Sequence, residues 1–146
     1  MTKQADFKAE FSFLTSLGYD PLIVYTHAYH ESGGFNHVIG NYNFWGIKCP
    51  QSWTGIKVPV ITHEYVNGQK IQVTANFCDW PDLSNAIRWY DSLIQRLYPQ
   101  AYQARTDYKI YFPALINYKY KYATDPAYVP ILIKLYEELS NENRLP

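Results

Sequence analysis

Between residues 56 and 77 the chain changes period. Val58, Val60, Thr62 and Tyr65, then Ile71, Val73 and Phe77, flank Asn67-Gly68, a pair that enters left-handed backbone cheaply enough to close a two-residue hairpin. With those two residues as the loop, Val66 faces Gln69, Glu64 faces Ile71, Thr62 faces Val73 and Val60 faces Ala75, all on one side of the ribbon. The other side carries Ile61, His63, Tyr65, Lys70, Gln72 and Thr74 and reads as wet. Glu64 is therefore a carboxylate on the apolar side. Two readings fit it: a glutamate at the solvated tip, or one turned into a cleft.

The rest of the chain has helical period. Phe7, Phe11 and Leu14, flanked by Phe13 and Leu17 and closed by Gly18, predict one amphipathic helix. Asp20-Pro21 pairs an N-cap with proline at the first helical position and opens a second helix carrying Leu22, Val24, Tyr25 and Ala28 as far as Glu31. Leu83, Ala86, Ile87, Tyr90, Ile94 and Leu97 form another stripe, ended by Pro99. Asp107 is placed to cap a shorter helix through Leu115 and Tyr118, limited by Pro113. Asp125-Pro126 starts the last helix, packed through Tyr128, Ile131, Leu132, Leu135, Tyr136 and Leu139. At 146 residues the chain is expected to be one domain, 1–146, able to bury a core without disulfides or a metal.

Thirteen basic residues balance 13 acidic ones, so no basic excess points to nucleic acid or an anionic membrane. No apolar run is long enough to span a bilayer, and Met1 to Phe7 is too polar for a signal peptide. Cys49 and Cys78 lack metal-type spacing and are expected as free thiols. The aromatics are in excess: 15 tyrosines and four tryptophans are more than a core of this size needs. Exposed, their flat faces suit stacking on sugars, although part of the excess serves packing.

Glu31 shares a helix face with His27 and Ala28 one turn back and Val24 two turns back, and Ser32, Gly33 and Gly34 follow it. It is either a solvated helix-end glutamate or a carboxyl on a mostly buried stripe, where desolvation favours the protonated acid that general-acid chemistry requires. Downstream, Asn41, Asn43, Phe44, Trp45, Gly46, Ile47 and Lys48 mix amides and aromatics around a glycine, a composition able to hold a sugar. His27 and His30 could be completed by His37 or Cys49 into a metal site, but neither His-Glu-x-x-His nor Cys-x-x-Cys occurs. A Gly-x-Ser-x-Gly elbow and a glycine-rich phosphate loop are also missing. These absences point away from a metal site, a serine nucleophile and a phosphate-binding loop.

Thr26-His27-Ala28-Tyr29-His30-Glu31-Ser32-Gly33, followed by Asn43-Phe44-Trp45-Gly46-Ile47-Lys48, resembles the paired signature of glycoside hydrolase family 73, the peptidoglycan-cleaving N-acetylglucosaminidases. The hairpin segment Thr62 to Gly68 and the later Tyr122-Ala123-Thr124-Asp125-Pro126 are similar to two further motifs of that family, in the same order. The resemblance implies an α+β, mainly α, lysozyme-like fold, with a helical lobe and a small β-hairpin lobe across a cleft. It implies an enzyme that hydrolyses the β-1,4 bond on the reducing side of N-acetylglucosamine, without a cofactor or metal. Glu31 would be the catalytic acid, Glu64 the second carboxylate and Tyr122 a cleft tyrosine, with Asn43, Trp45, Gly46, Lys48 and Tyr128 binding substrate.

The partner implied is a peptidoglycan glycan strand, bound by a monomer. Muramidase or lytic transglycosylase chemistry on the same fold, or a glycan-binding module without catalysis, are the alternatives. His27 stands where the family usually has glutamine, Gly34 where tryptophan is common and Trp45 in place of phenylalanine, and Phe77-Cys78-Asp79-Trp80 lacks an arginine. These departures bear on substrate detail. Glu64, three positions from the turn, is expected to stand farther from Glu31 than a covalent mechanism allows. The setting expected is a phage endolysin made in the bacterial cytoplasm and released onto the wall, with a secreted enzyme lacking its leader as the alternative; neighbouring holin or virion genes would support the first, and a cell-division or flagellar operon would contradict it.

Overall fold

The computed structural model describes residues 2–144. Positions 1 and 145–146 of the expected 1–146 domain lie outside the described residues. Seven helices and one two-stranded sheet are found among the described residues: α1 (Lys3–Lys8), α2 (Phe11–Ser16), α3 (Pro21–Glu31), β1 (Ile56–Val66), β2 (Gln69–Asp79), α4 (Leu83–Leu97), α5 (Pro99–Gln103), α6 (Tyr108–Ala114) and α7 (Tyr128–Arg144). The mainly helical body with a single antiparallel hairpin is the expected fold class. No helix of the described residues is long and apolar enough to cross a membrane.

The hairpin register is the one set by its turn. Val66 pairs with Gln69, Glu64 with Ile71, Thr62 with Val73 and Val60 with Ala75. Asn67 and Gly68 both take positive φ, 52° and 78°, the backbone twist that matches two right-twisted strands. Packing fades along the ribbon. Phe77, Cys78 and Asp79 at its foot are buried, Val58, Val60, Thr62, Val73 and Ala75 are half-buried, and both strands are exposed beyond Thr62 and Val73.

The foot is pinned by one carboxylate. Asp79 Oδ1 accepts the N–H groups of Tyr42 (3.0 Å) and Trp80 (2.9 Å), and Oδ2 accepts that of Asn41 (2.9 Å). A Cβ at Gly40 would lie 2.3 Å from Asp79 Oδ2, so only glycine lets the 39–43 loop close on this carboxylate.

Asp20 caps α3 by accepting the Leu22 N–H (3.0 Å), with Pro21 in the first turn, as read from the sequence. The expected helix through Phe7 and Leu14 is corrected to two, α1 and α2. The Glu10 N–H turns back to the Phe7 carbonyl at 3.0 Å, an i to i−3 bond that tightens the chain and ends α1. Phe7 thereby reaches the centre of an aromatic cluster, 5.3 to 6.0 Å from the rings of Phe44, Tyr25, Phe35 and Trp45. Asp107 caps α6 as expected, but that helix ends at Ala114, short of Tyr118. Asp125 caps a single turn through the Ala127 N–H (2.9 Å), so α7 begins at Tyr128, two residues after Pro126.

Candidate active site

Glu31 ends α3, and its side chain keeps 21% exposure. Burial raises its pKa from the usual carboxylate range, and a hydrogen bond from Tyr128 opposes that rise without cancelling it. Its place in the last turn acts in the same direction as burial, because the carbonyl end of a helix disfavours negative charge. The site therefore tends to keep Glu31 as an acid. Immediately after it, Phe35 holds φ at 68°. That strained backbone is retained by the bond from its N–H to Ser32 Oγ (2.9 Å) and by packing against Tyr25, Tyr29 and Phe44.

Behind Glu31 runs a buried chain of hydrogen bonds. The Tyr128 hydroxyl donates to Glu31 Oε2 at 2.7 Å, and the same hydroxyl meets His27 Nε2 at 2.9 Å. His27 Nδ1 meets the Tyr90 hydroxyl at 2.7 Å, and the Tyr90 hydroxyl meets that of Tyr111 at 2.7 Å. Once Tyr128 spends its proton on Glu31, the other roles follow. His27 donates from Nε2 to Tyr128, Tyr90 donates to His27 Nδ1, and Tyr111 donates to Tyr90.

His27 is neutral in this arrangement. It is wholly buried, and burial, with a smaller contribution from His30, lowers its pKa from 6.5 to about 3. Its 3.9 Å approach to Glu31 is therefore a contact bridged by the Tyr128 hydroxyl and not an ion pair. With Oε2 occupied by Tyr128, Oε1 is left as the oxygen to carry a transferable proton.

Tyr122 stands beside this chain, its ring edge-on to His27 at 4.4 Å and its hydroxyl donating to the Trp45 carbonyl at 2.8 Å. Burial first, and the proximity of Glu31 second, hold its phenol protonated well above the ordinary range. It can serve the site as a neutral hydroxyl and not as a base.

The side chains of Asn43 and Trp45, expected to hold sugar, are buried and turned inward. Asn43 is 1% exposed, its amide donating to the carbonyls of Ile47 (2.9 Å) and Cys78 (2.8 Å) and accepting from the N–H groups of Trp45 and Ile47. Trp45 is fully buried and stacked on Tyr90 at 4.6 Å. Both form the floor under the site because every polar atom of Asn43 and the whole indole face are spent internally.

Tyr128, expected beside them, is buried as well. At 4% exposure it touches Glu31 and not the open surface. Gly46 and Lys48 are exposed between these buried neighbours, and a Cβ at Gly46 would meet nothing within 4 Å. Glu64 lies on the exposed outer part of the ribbon, and no hydrogen bond or ion pair joins it to Glu31 among the described residues. Tyr90 was legible only as a packed stripe residue, and Tyr111 was not singled out. The signal for them was His27 itself, since a buried imidazole needs a partner for each ring nitrogen.

The profile of the glucosaminidase family, described as mannosyl-glycoprotein endo-beta-N-acetylglucosaminidase, matches residues 12–141. The peptidoglycan hydrolase FlgJ of Vibrio parahaemolyticus serotype O3:K6 is 25% identical over 133 residues, 86% of this chain and 42% of that protein. The chain thus spans less than half the length of the curated relatives it matches. Among solved structures, a peptidoglycan hydrolase mutant from Sphingomonas sp. A1 superposes with a TM-score of 0.75 at 27% identity, over 96% of this chain and 94% of the other. A C-terminally truncated glycoside hydrolase domain of Salmonella typhimurium FlgJ gives 0.71 at 28% identity, over 95% and 99%.

Proposed function

Because the chain belongs to the glucosaminidase family of glycoside hydrolases, we propose that it hydrolyses peptidoglycan, cutting the β-1,4 bond on the reducing side of N-acetylglucosamine with Glu31 as proton donor. The observation that carries this reading is the half-buried Glu31 carboxyl, its pKa raised by burial and its Oε2 fixed by Tyr128. Glu31 gives its Oε1 proton to the glycosidic oxygen as the bond to the anomeric carbon breaks. Water then adds at that carbon and returns a proton to the carboxylate or to a second base.

Two groups are candidates to assist the water. Glu64 sits on the ribbon, tethered at its foot and free at its turn, and would approach only as substrate closes the cleft. The substrate's own acetamido group, oriented by the neutral Tyr122 hydroxyl, is the alternative. Glu64→Gln and Tyr122→Phe separate them. Loss of activity in the first supports base catalysis, and loss in the second alone supports the acetamido route.

Glu31→Gln keeps the side chain's size and its acceptor for Tyr128, so the variant should fold and bind glycan while losing a factor on the order of 10² to 10⁴ in rate. Circular dichroism checks the fold, and mass spectrometry of products from purified sacculi names the bond. New N-acetylglucosamine reducing ends support the proposal. New muramic acid ends indicate a muramidase, anhydro ends a transglycosylase, and no new ends a binding module.

A further inference from the structure

Three of the chain's four tryptophans meet away from Glu31, at the foot of the hairpin. Trp53, Trp80 and Trp89 form a triangle with ring centroids 5.7 to 6.0 Å apart and line a surface cavity of about 670 Å³. Trp53 and Trp89 are half-exposed. Asn85, Arg88 and Ser92 rim the cavity from α4, at the spacing that places them on one helix face with Trp89. The next residue, Tyr90, points into the body toward His27, so the helix itself stands between this cavity and the buried chain behind Glu31.

The platform is rigid before any ligand arrives. The Trp53 indole N–H donates to the Ile56 carbonyl at 2.9 Å. The ring also lies where a Cβ of Gly55 would be, 2.6 Å from that position, so the glycine lets the indole lie against the backbone. Arg96 lies over Trp89 at 5.6 Å. Asp79 also lines the cavity, but both of its oxygens are spent on backbone N–H groups. Trp80, 4% exposed, has an indole N–H with no acceptor among the described residues.

We propose that this tryptophan cavity is a second glycan-binding site, holding an uncleaved N-acetylated sugar of the strand whose scissile bond lies at Glu31. Indole faces match the apolar face of a pyranose, and the amide, hydroxyl and guanidinium of the rim match its hydroxyl and acetamido edge. An acidic peptide stem would use the arginine and leave the indoles idle. Preformed aromatic walls lose little entropy on binding, which suits a site that grips a polymer without reacting with it.

The inference rests on the glucosaminidase reading, and the test separates the two. Retention on insoluble sacculi is measured for Glu31→Gln alone and with either Trp89→Ala or Ser92→Trp. The second variant fills the cavity from an exposed position and leaves the core intact. Turnover of a soluble N-acetylglucosamine tetramer is measured in the same two substitutions with Glu31 present. Loss of one stacked face should weaken retention roughly fivefold to tenfold, while tetramer turnover stays within about twofold.

Unchanged retention in both variants overturns the proposal. Equal loss of retention and turnover also overturns it, because the cavity would then belong to the catalytic cleft or the fold. If the wild type cleaves neither substrate, the glucosaminidase reading fails instead. Quenching of indole fluorescence by the tetramer, abolished by Ser92→Trp, then still decides whether the cavity takes sugar.

Discussion

Replacing His27 by glutamine isolates what a buried neutral imidazole does to stability. In the folded chain His27 holds its proton off until about pH 3, against an ordinary value of 6.5 in the unfolded chain. Below the ordinary value the unfolded chain takes up a proton that the folded chain refuses. Stability from this group is thus complete above about pH 6.5, falls as the pH drops, and stops falling near pH 3. The slope is about 1.4 kcal/mol per pH unit, so His27 removes about 2 kcal/mol by pH 5 and about 3 kcal/mol by pH 4.

Glutamine at 27 can still donate and accept between Tyr128 and Tyr90 but does not titrate. Its own packing cost is the same at every pH, so it cancels when each protein is referred to its value at pH 7. Urea unfolding of wild type and His27→Gln at pH 7, 6, 5 and 4 reads the difference directly. The wild type should lose about 2 kcal/mol more than the variant between pH 7 and 5. Parallel profiles would refute the assignment of His27 as buried and neutral, and with it the direction given to the hydrogen-bond chain.

Tyr128→Phe removes the bond that opposes the raised pKa of Glu31, so the alkaline limb of the pH-rate profile should move to higher pH while the maximal rate falls. It also leaves the His27 Nε2 proton without an acceptor, at a cost of about 1 to 3 kcal/mol in urea unfolding. Asn43→Ala strands two carbonyls and two N–H groups at the hairpin foot. It should lower stability by about 2 to 4 kcal/mol, which thermal unfolding would show. Burial, with Cys49 adjacent, pushes the Cys78 thiol up to about 12. Iodoacetamide at pH 8 should therefore label the half-exposed Cys49 and spare Cys78 in peptide mapping, and equal labelling would count against the packing at the ribbon's foot.

Local chemistry was legible wherever neighbouring residues determine it. Asn67-Gly68 set the ribbon's register, Asp20-Pro21 the start of α3, and Asp107 the cap of α6. The partial burial of Glu31 was legible too, because it shares a face with buried residues one and two turns back. What could not be read was which polar group meets which across the interior. A tyrosine on an apolar stripe presents the same pattern whether its hydroxyl reaches water or another side chain. Tyr90 and Tyr111 joined the site only when α3, α4, α6 and α7 were placed together. The internal bonds of Asn43 were hidden for a related reason: an amide beside aromatics suits a sugar, and it suits equally well four backbone groups at a loop crossing.

Glu31 and the hydroxyl that orients it are 97 positions apart, and the bond from Tyr136 to Asp20 spans 116. The hairpin, by contrast, can zip from its turn outward using neighbours alone. During synthesis the Glu31 carboxyl therefore waits for α7 to emerge before it meets Tyr128. Closing so long a loop carries its entropic cost until α7 docks, and chains take shape from the N-terminus onward as the ribosome releases them. A nascent or C-terminally clipped chain would hold Glu31 without Tyr128, its proton neither placed nor tuned.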